Sequence, residues 1–176
     1  MKKLILAVAM GSAMVTGAAN AADMGHGKLT FTGSVIDAAC SIDAKSLDQT
    51  IPLGAISSKQ LMDGGKSTPV GFSIQLHDCD TVTGKNALVT FNGTAGAVDD
   101  ALDSSFAVTG APAGTVGVTV TDMGGTVIKP GSASPAQKLN DGDNELQFQA
   151  YVQGSSVSNA VPGNFTSVAN FVMDYQ

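Results

Sequence analysis

The chain has 176 residues, 9 Lys and no Arg, 15 Asp and Glu, and a net charge of −6. That length suits one domain, or one domain with an extension. The negative charge argues against a nucleic-acid partner and against a polybasic membrane patch. Hydrophobic residues at 43% and charged residues at 14% argue against a disordered tail. With 21 Gly and no Trp, the composition favours short strands and tight turns over a helical bundle.

Lys2 and Lys3 precede an apolar stretch from Leu4 to Val15, and Ala19-Asn20-Ala21 is a small-x-small site. Residues 1–21 therefore read as a secretory signal peptide, removed to leave Ala22–Gln176. The apolar run is too short for a spanning helix, and no later segment reads as one. Export places Cys40 and Cys79, the only cysteines, in an oxidising compartment, where a disulfide is the expected pairing. Such a closed loop stabilises a fold by roughly 3–4 kcal/mol on chain-entropy grounds. A metal site or a catalytic thiol ranks far below it, because His26 and His77 are the only histidines and no C-x-x-C occurs.

The expected elements follow in chain order. Lys28–Asp37 alternates as a strand, with Leu29, Phe31, Gly33, Val35 and Asp37 on one face. Ile51–Ile56 reads as an edge strand near Pro52. Ser57–Met62 reads as one helical turn before the break at Asp63-Gly64-Gly65. Val70–Leu76 points Val70, Phe72, Ile74 and Leu76 inward. Ala87, Val89 and Phe91 form the next inward row, ending at Asn92-Gly93. Phe106 and Val108 mark a short strand. Val116, Val118 and Val120 face one side, then a turn at Asp122–Gly125 brings back Val127 and Ile128 as a hairpin. Leu146, Phe148, Ala150 and Val152 alternate with polar neighbours. The last strand is Phe165–Tyr175, with Phe165, Ser167, Ala169, Phe171, Met173 and Tyr175 on one face. Many short strands without a long 3.6-residue period predict an all-β, antiparallel sandwich.

Catalytic and metal motifs are fragmentary. His77-Asp78-Cys79-Asp80 reads as a strand end beside a disulfide. Asp141-Gly142-Asp143-Asn144-Glu145 lacks the spacing of a calcium loop. Gly64-Gly65-Lys66-Ser67 lacks the first glycine of a phosphate loop, and no G-x-S-x-G elbow occurs. No enzyme and no cofactor are expected.

The run Phe31-x-Gly33-x-Val35-x-Asp37-x-x-Cys40 is followed by Cys79. Asp141-Gly142-Asp143-Asn144 precedes the Leu146/Phe148/Tyr151 strand. Pro162-Gly163 stands before a final alternating strand ending in penultimate Tyr175, with Gly163 fourteenth from the last residue. In joint order and spacing this resembles the major pilins of chaperone–usher fimbriae, closely so the Proteus-type major subunits. The resemblance implies an incomplete immunoglobulin-like β-sandwich of six strands lacking the seventh. Residues 22–38 would be an N-terminal extension and 39–176 the pilin domain. Leu29, Phe31, Gly33, Val35, Asp37 and Ala39 would face a neighbour's groove, with Gly33 where that groove is shallow. Gly163, Phe165, Phe171, Met173 and Tyr175 would line the groove and bind a periplasmic chaperone. The implied partners are identical or related pilins, that chaperone and an outer-membrane usher. The implied location is the fimbria at the cell surface, reached through the periplasm, where the subunit supports bacterial adhesion. A minor fimbrial subunit and a monomeric secreted carbohydrate-binding sandwich are the alternatives.

Overall fold

The computed structural model describes residues 27–33, 35, 37–97 and 100–176. The expected signal peptide lies outside the described residues. The described residues through Val35 and those from Asp37 onward belong to two separate units. In the first unit Leu29, Phe31 and Val35 are exposed, and the described residues of 28–37 join no ladder. The strand expected there finds no partner among the described residues.

The second unit is all-β. Its strands are β1 (Ser41–Ile42), β2 (Val70–Cys79), β3 (Asn86–Asn92), β4 (Phe106–Ala107), β5 (Thr109–Gly110), β6 (Val116–Asp122), β7 (Val127–Ile128), β8 (Gln137–Lys138), β9 (Gly142–Gly154), β10 (Phe165–Thr166) and β11 (Asn170–Tyr175). One sheet runs β1-β2-β9-β6-β4, with β7 also on β6; a second runs β11-β3-β8; β10 pairs with β5. Every ladder is antiparallel. Alternation places Ile74, Leu76, Leu146 and Phe148 of one sheet against Ala87, Val89 and Phe91 of the other in a common core. Phe72, Phe91 and Phe148 meet there, with ring centroids 5.2–6.1 Å apart, the range of favourable aromatic pairs.

The β6–β7 hairpin forms as expected, with Val120 opposite Ile128. Three expectations are corrected. Ile51–Ile56 is irregular: Pro52 has no N–H to give a ladder, and Gly54 sits at φ 76°. The last strand is split, because Phe165–Thr166 pairs with β5 while Asn170–Tyr175 pairs with β3. At the split, the Ser167 hydroxyl donates to the Ala107 carbonyl at 2.9 Å. Strands β6 and the end of β9 are buried on both faces, not one. Polar residues on their outer side are paired in place, as in the 2.7 Å Ser105–Thr119 hydroxyl bond. A 3-10 segment, Ser58–Gly64, follows Ser57 where the helical turn was expected.

Cys40 and Cys79 are joined by a disulfide, both ends buried. Beside it, His77 Nδ1 lies 2.8 Å from Asp143 and Nε2 lies 3.2 Å from Asp43. Both ring nitrogens face carboxylates, so only the imidazolium satisfies both. Accordingly the His77 pKa is raised, by the Asp143 bond first and the Asp43 bond second. Asp43 is lowered, chiefly by the Lys45 backbone N–H and then by His77. The sign follows from linkage. The stabilisation from His77 is complete below its ordinary value of 6.5 and is lost as pH rises through the higher folded value. Melting temperatures of wild type and His77→Ala, measured against pH, should differ most just below neutrality and converge in alkali. A difference that grows with rising pH would refute the tie.

Candidate functional site

A groove of about 1150 Å³ runs along the domain. One wall is the C-terminal segment from Val161 to Phe171; the other is residues 47–56. Its floor is apolar, with Phe72, Ile74, Phe91, Val116, Val118 and Val152.

The C-terminal wall is an unfinished edge. Strand β11 pairs with β3 on one side, Tyr175 opposite Ala87 and Phe171 opposite Phe91. Gln176 and Asn86 exchange both main-chain bonds, at 2.9 and 2.8 Å. Antiparallel alternation then turns Asp174, Val172 and Asn170 toward β3. The N–H and C=O of Phe171, Met173 and Tyr175 consequently face the open side. Their side chains point inward yet are only half-buried, packed at the border of the main core. Phe165 stands likewise half-buried beside a second core cluster with Leu61, Val116 and Val152. The opposite wall is also unpaired: residues 48–56 make no main-chain hydrogen bond to another described residue. Two edges with free backbone groups thus flank one apolar trough.

Gly163 shapes one end. Its φ is 152°, in the region that favours glycine, and a Cβ there would collide with the Ala111 side chain. Gly110 faces the same corner at φ 111° and pairs with Phe165. Nothing in the sequence singled out Gly110, because its requirement comes from a partner distant in the chain. At the other end Tyr175 packs near Ala39: a Cβ on Gly84 would lie 3.0 Å from both side chains. Ala39 is itself buried, which corrects its expected place on a donor row: it packs within its own domain. The Tyr175 hydroxyl is buried without a partner among the described residues, and that burial raises its pKa.

Gly163, Phe165 and Phe171 line the groove, and Met173 and Tyr175 continue the same inward row. Leu29, Phe31, Gly33 and Asp37 are exposed, as is Val35. Residues 47–56, the second wall, were missed as site residues. Their signal was the apolar set Ile51, Leu53 and Ile56, which the sequence reading assigned to an edge strand, with Leu47 just before it. Among the described residues no cluster of three His, Cys, Asp or Glu is placed to hold a metal, and no helix is long and apolar enough to cross a membrane.

An antiparallel sandwich whose last strand bounds an unfilled trough defines the pilin class of immunoglobulin-like domains. The chain belongs to the fimbrial protein family, whose family model matches residues 29–176. It is 46% identical over 176 residues to the major MR/P fimbria protein of Proteus mirabilis, covering 100% of this chain and 99% of that one. It is 47% identical over 177 residues to the fimbria A protein of Serratia marcescens, with the same coverage. A subunit in the structure of a chaperone–usher pilus superposes with a TM-score of 0.74 at 35% identity, covering 87% of this chain and 97% of that chain. The P pilus rod subunit PapA superposes with a TM-score of 0.66 at 33% identity, covering 79% and 100%. These relatives are structural fimbrial subunits and not enzymes.

Gly163→Ala should destabilise the domain by roughly 1–3 kcal/mol, the usual cost of forcing a side chain into such a backbone conformation. Urea unfolding of both proteins measures it. Equal midpoints would show that the corner tolerates a Cβ.

Proposed function

We propose that this chain is a structural subunit of a surface fimbria that polymerises by exchanging its N-terminal strand, supporting bacterial adhesion. The observation that carries this reading is the groove bounded by two unpaired edges. Residues 22–38 act as the donor extension and 39–176 as the acceptor domain. The row Leu29, Phe31, Gly33, Val35, Asp37 enters the groove of a second copy, adding a strand beside β11. This is β-strand addition, in which main-chain bonds give affinity and alternate side chains give fit.

Complementarity supports the pairing. Lys28–Asp37 spans about 33 Å when extended, matching a wall of similar residue count, Phe165–Tyr175. Phe72 borders both core clusters and lines the middle of the groove. A glycine at the centre of the donor row lets the incoming backbone approach closely there. Phe31 and Val35 flank that glycine. Their burial together contributes about 3–6 kcal/mol. Asp37 stays at the end of the row, where its carboxylate keeps water.

Before assembly, a periplasmic chaperone covers the same groove through Gly163, Phe165, Phe171, Met173 and Tyr175, and an outer-membrane usher hosts the exchange. The route begins with removal of residues 1–21 and ends at the cell surface.

A domain lacking residues 22–34 should be monomeric and should bind a synthetic peptide of residues 27–38. Phe31→Ala in that peptide should weaken binding about 10- to 100-fold, the equivalent of losing about 1.5–3 kcal/mol of burial. Calorimetric titration reads both. Polymerisation of the truncated chain, or indifference to Phe31, would sink the donor role.

A further inference from the structure

The place where the extension joins the domain has a consequence for a filament under tension. Ala39 and Cys40 are buried. The Ala39 carbonyl accepts from Asp80 N–H at 2.9 Å, immediately past Cys79. Gly84 brings Ala39 and Tyr175 together. The chain therefore enters the domain at the Tyr175 end of the groove wall.

Three routes lead from that entry. Strand β1 holds on to β2 through a two-residue register, Ser41 with His77 and Ile42 with Leu76. The second is the part-buried His77–Asp43 contact at 3.2 Å. The third route is covalent, from Cys40 to Cys79. From Cys79 the chain runs through residues 80–85 into β3. Lys85 and Asn86 N–H both donate to the Gln176 carbonyl, at 2.7 and 2.8 Å. Strand β3 is then laddered to β11 along six residue pairs, Asn170 to Tyr175.

We propose that the Cys40–Cys79 bond is the tension coupling of the filament, carrying pull from the N-terminal extension directly to the β3–β11 pair that grips the neighbouring subunit. Resting on the donor-strand reading, it makes the large β1-β2-β9-β6-β4 sheet a bystander to axial load. Force bypasses residues 41–78, including the 3-10 segments and the irregular wall 47–56, none of which is held by a long ladder before Val70. Without the bond, the same force reaches the domain first through β1, whose two-residue register and single, only part-buried ion pair are weak by comparison.

The test is single-filament stretching of filaments assembled from the full chain. Held at constant force with a dithiol reductant, wild-type filaments should lengthen in steps. Each thiolate attack on the bond frees the 38 residues between the cysteines, a step of up to roughly 130 Å at full extension. If the bond bears load, the step frequency rises with force. A force-independent frequency, or no steps before filaments break, overturns the proposal. The Cys40→Ala/Cys79→Ala filaments, pulled without reductant, should lengthen before rupture and break at half the wild-type force or less. His77→Ala filaments with the bond intact should match wild type, and a drop there would place the load on β1 instead. If the full chain forms no filaments while its domain still binds the 27–38 peptide, this inference falls and groove recognition stands. If neither occurs, the donor-strand reading falls with it.

Discussion

The molecule is organised around an edge that its own described strands leave open. An exposed sheet edge is tolerable on polar grounds, because water can bond the outward N–H and C=O of Phe171, Met173 and Tyr175. Water cannot compensate the apolar side of the same strand. Phe171, Met173, Tyr175 and Phe165 stand half-buried at the border of two core clusters, and residues 47–56 present a second row of the same kind across the trough. A further strand would cover both rows at once and pair both backbones. Natural sheets blunt such edges with charge, proline or cover. Here the inward row carries none of these, which is the mark of an edge meant for a partner.

The same constraint explains why the fold needs its disulfide. The segment from Ser41 to Pro69 crosses the domain with the short β1 ladder, two 3-10 segments and, at its far end, main-chain bonds from Gly64–Ser67 to Val152–Ser155. Ser46 and Gln49 help, the first accepting from Gln75 N–H and the second donating to the Ser73 carbonyl. A complete sandwich would clamp residues 47–56 between a strand and the core. In the open domain the covalent loop does part of that work, limiting how far the segment can leave in the unfolded ensemble.

Much of this was legible in the sequence, and the failures share a cause. Period-two alternation gave the inward rows of β2, β3 and β9 because each of those rows faces one core. It predicted one-sided burial for β6 and for the end of β9, which are covered on the outside by residues far along the chain, such as Ser105 against Thr119. It ran the last strand continuously through Ser167–Ala169, since period two continues there. Only the tertiary change of partner, from β5 to β3, breaks it. Ile51–Ile56 has strand chemistry without a strand, because the neighbour that would pair it is not supplied by the described residues. Ala39 looked like the next donor position by parity, but the adjacent disulfide draws it into its own core. His77 was dismissed as a metal ligand for want of partners; its bracketing by Asp43 and Asp143 depends on strands β2 and β9 meeting, which no local pattern reports.

A subunit that carries both an exposed apolar row and a groove bounded by open edges has a problem of timing. Leu29, Phe31 and Val35 are 83, 89 and 103% exposed, and the groove walls are open in the same molecule. On the donor-strand reading, donation from one copy to the next is heterologous and does not close, so association once begun has no natural stop. Premature joining is prevented only if something else occupies the groove until the subunit reaches its site of assembly. The occupant must offer alternating apolar residues and a free strand edge, because those are the two things the groove lacks. It must also leave when a better strand arrives. Under the proposed function, this is the physical case for a chaperone that lends a strand and an assembly platform that exchanges it.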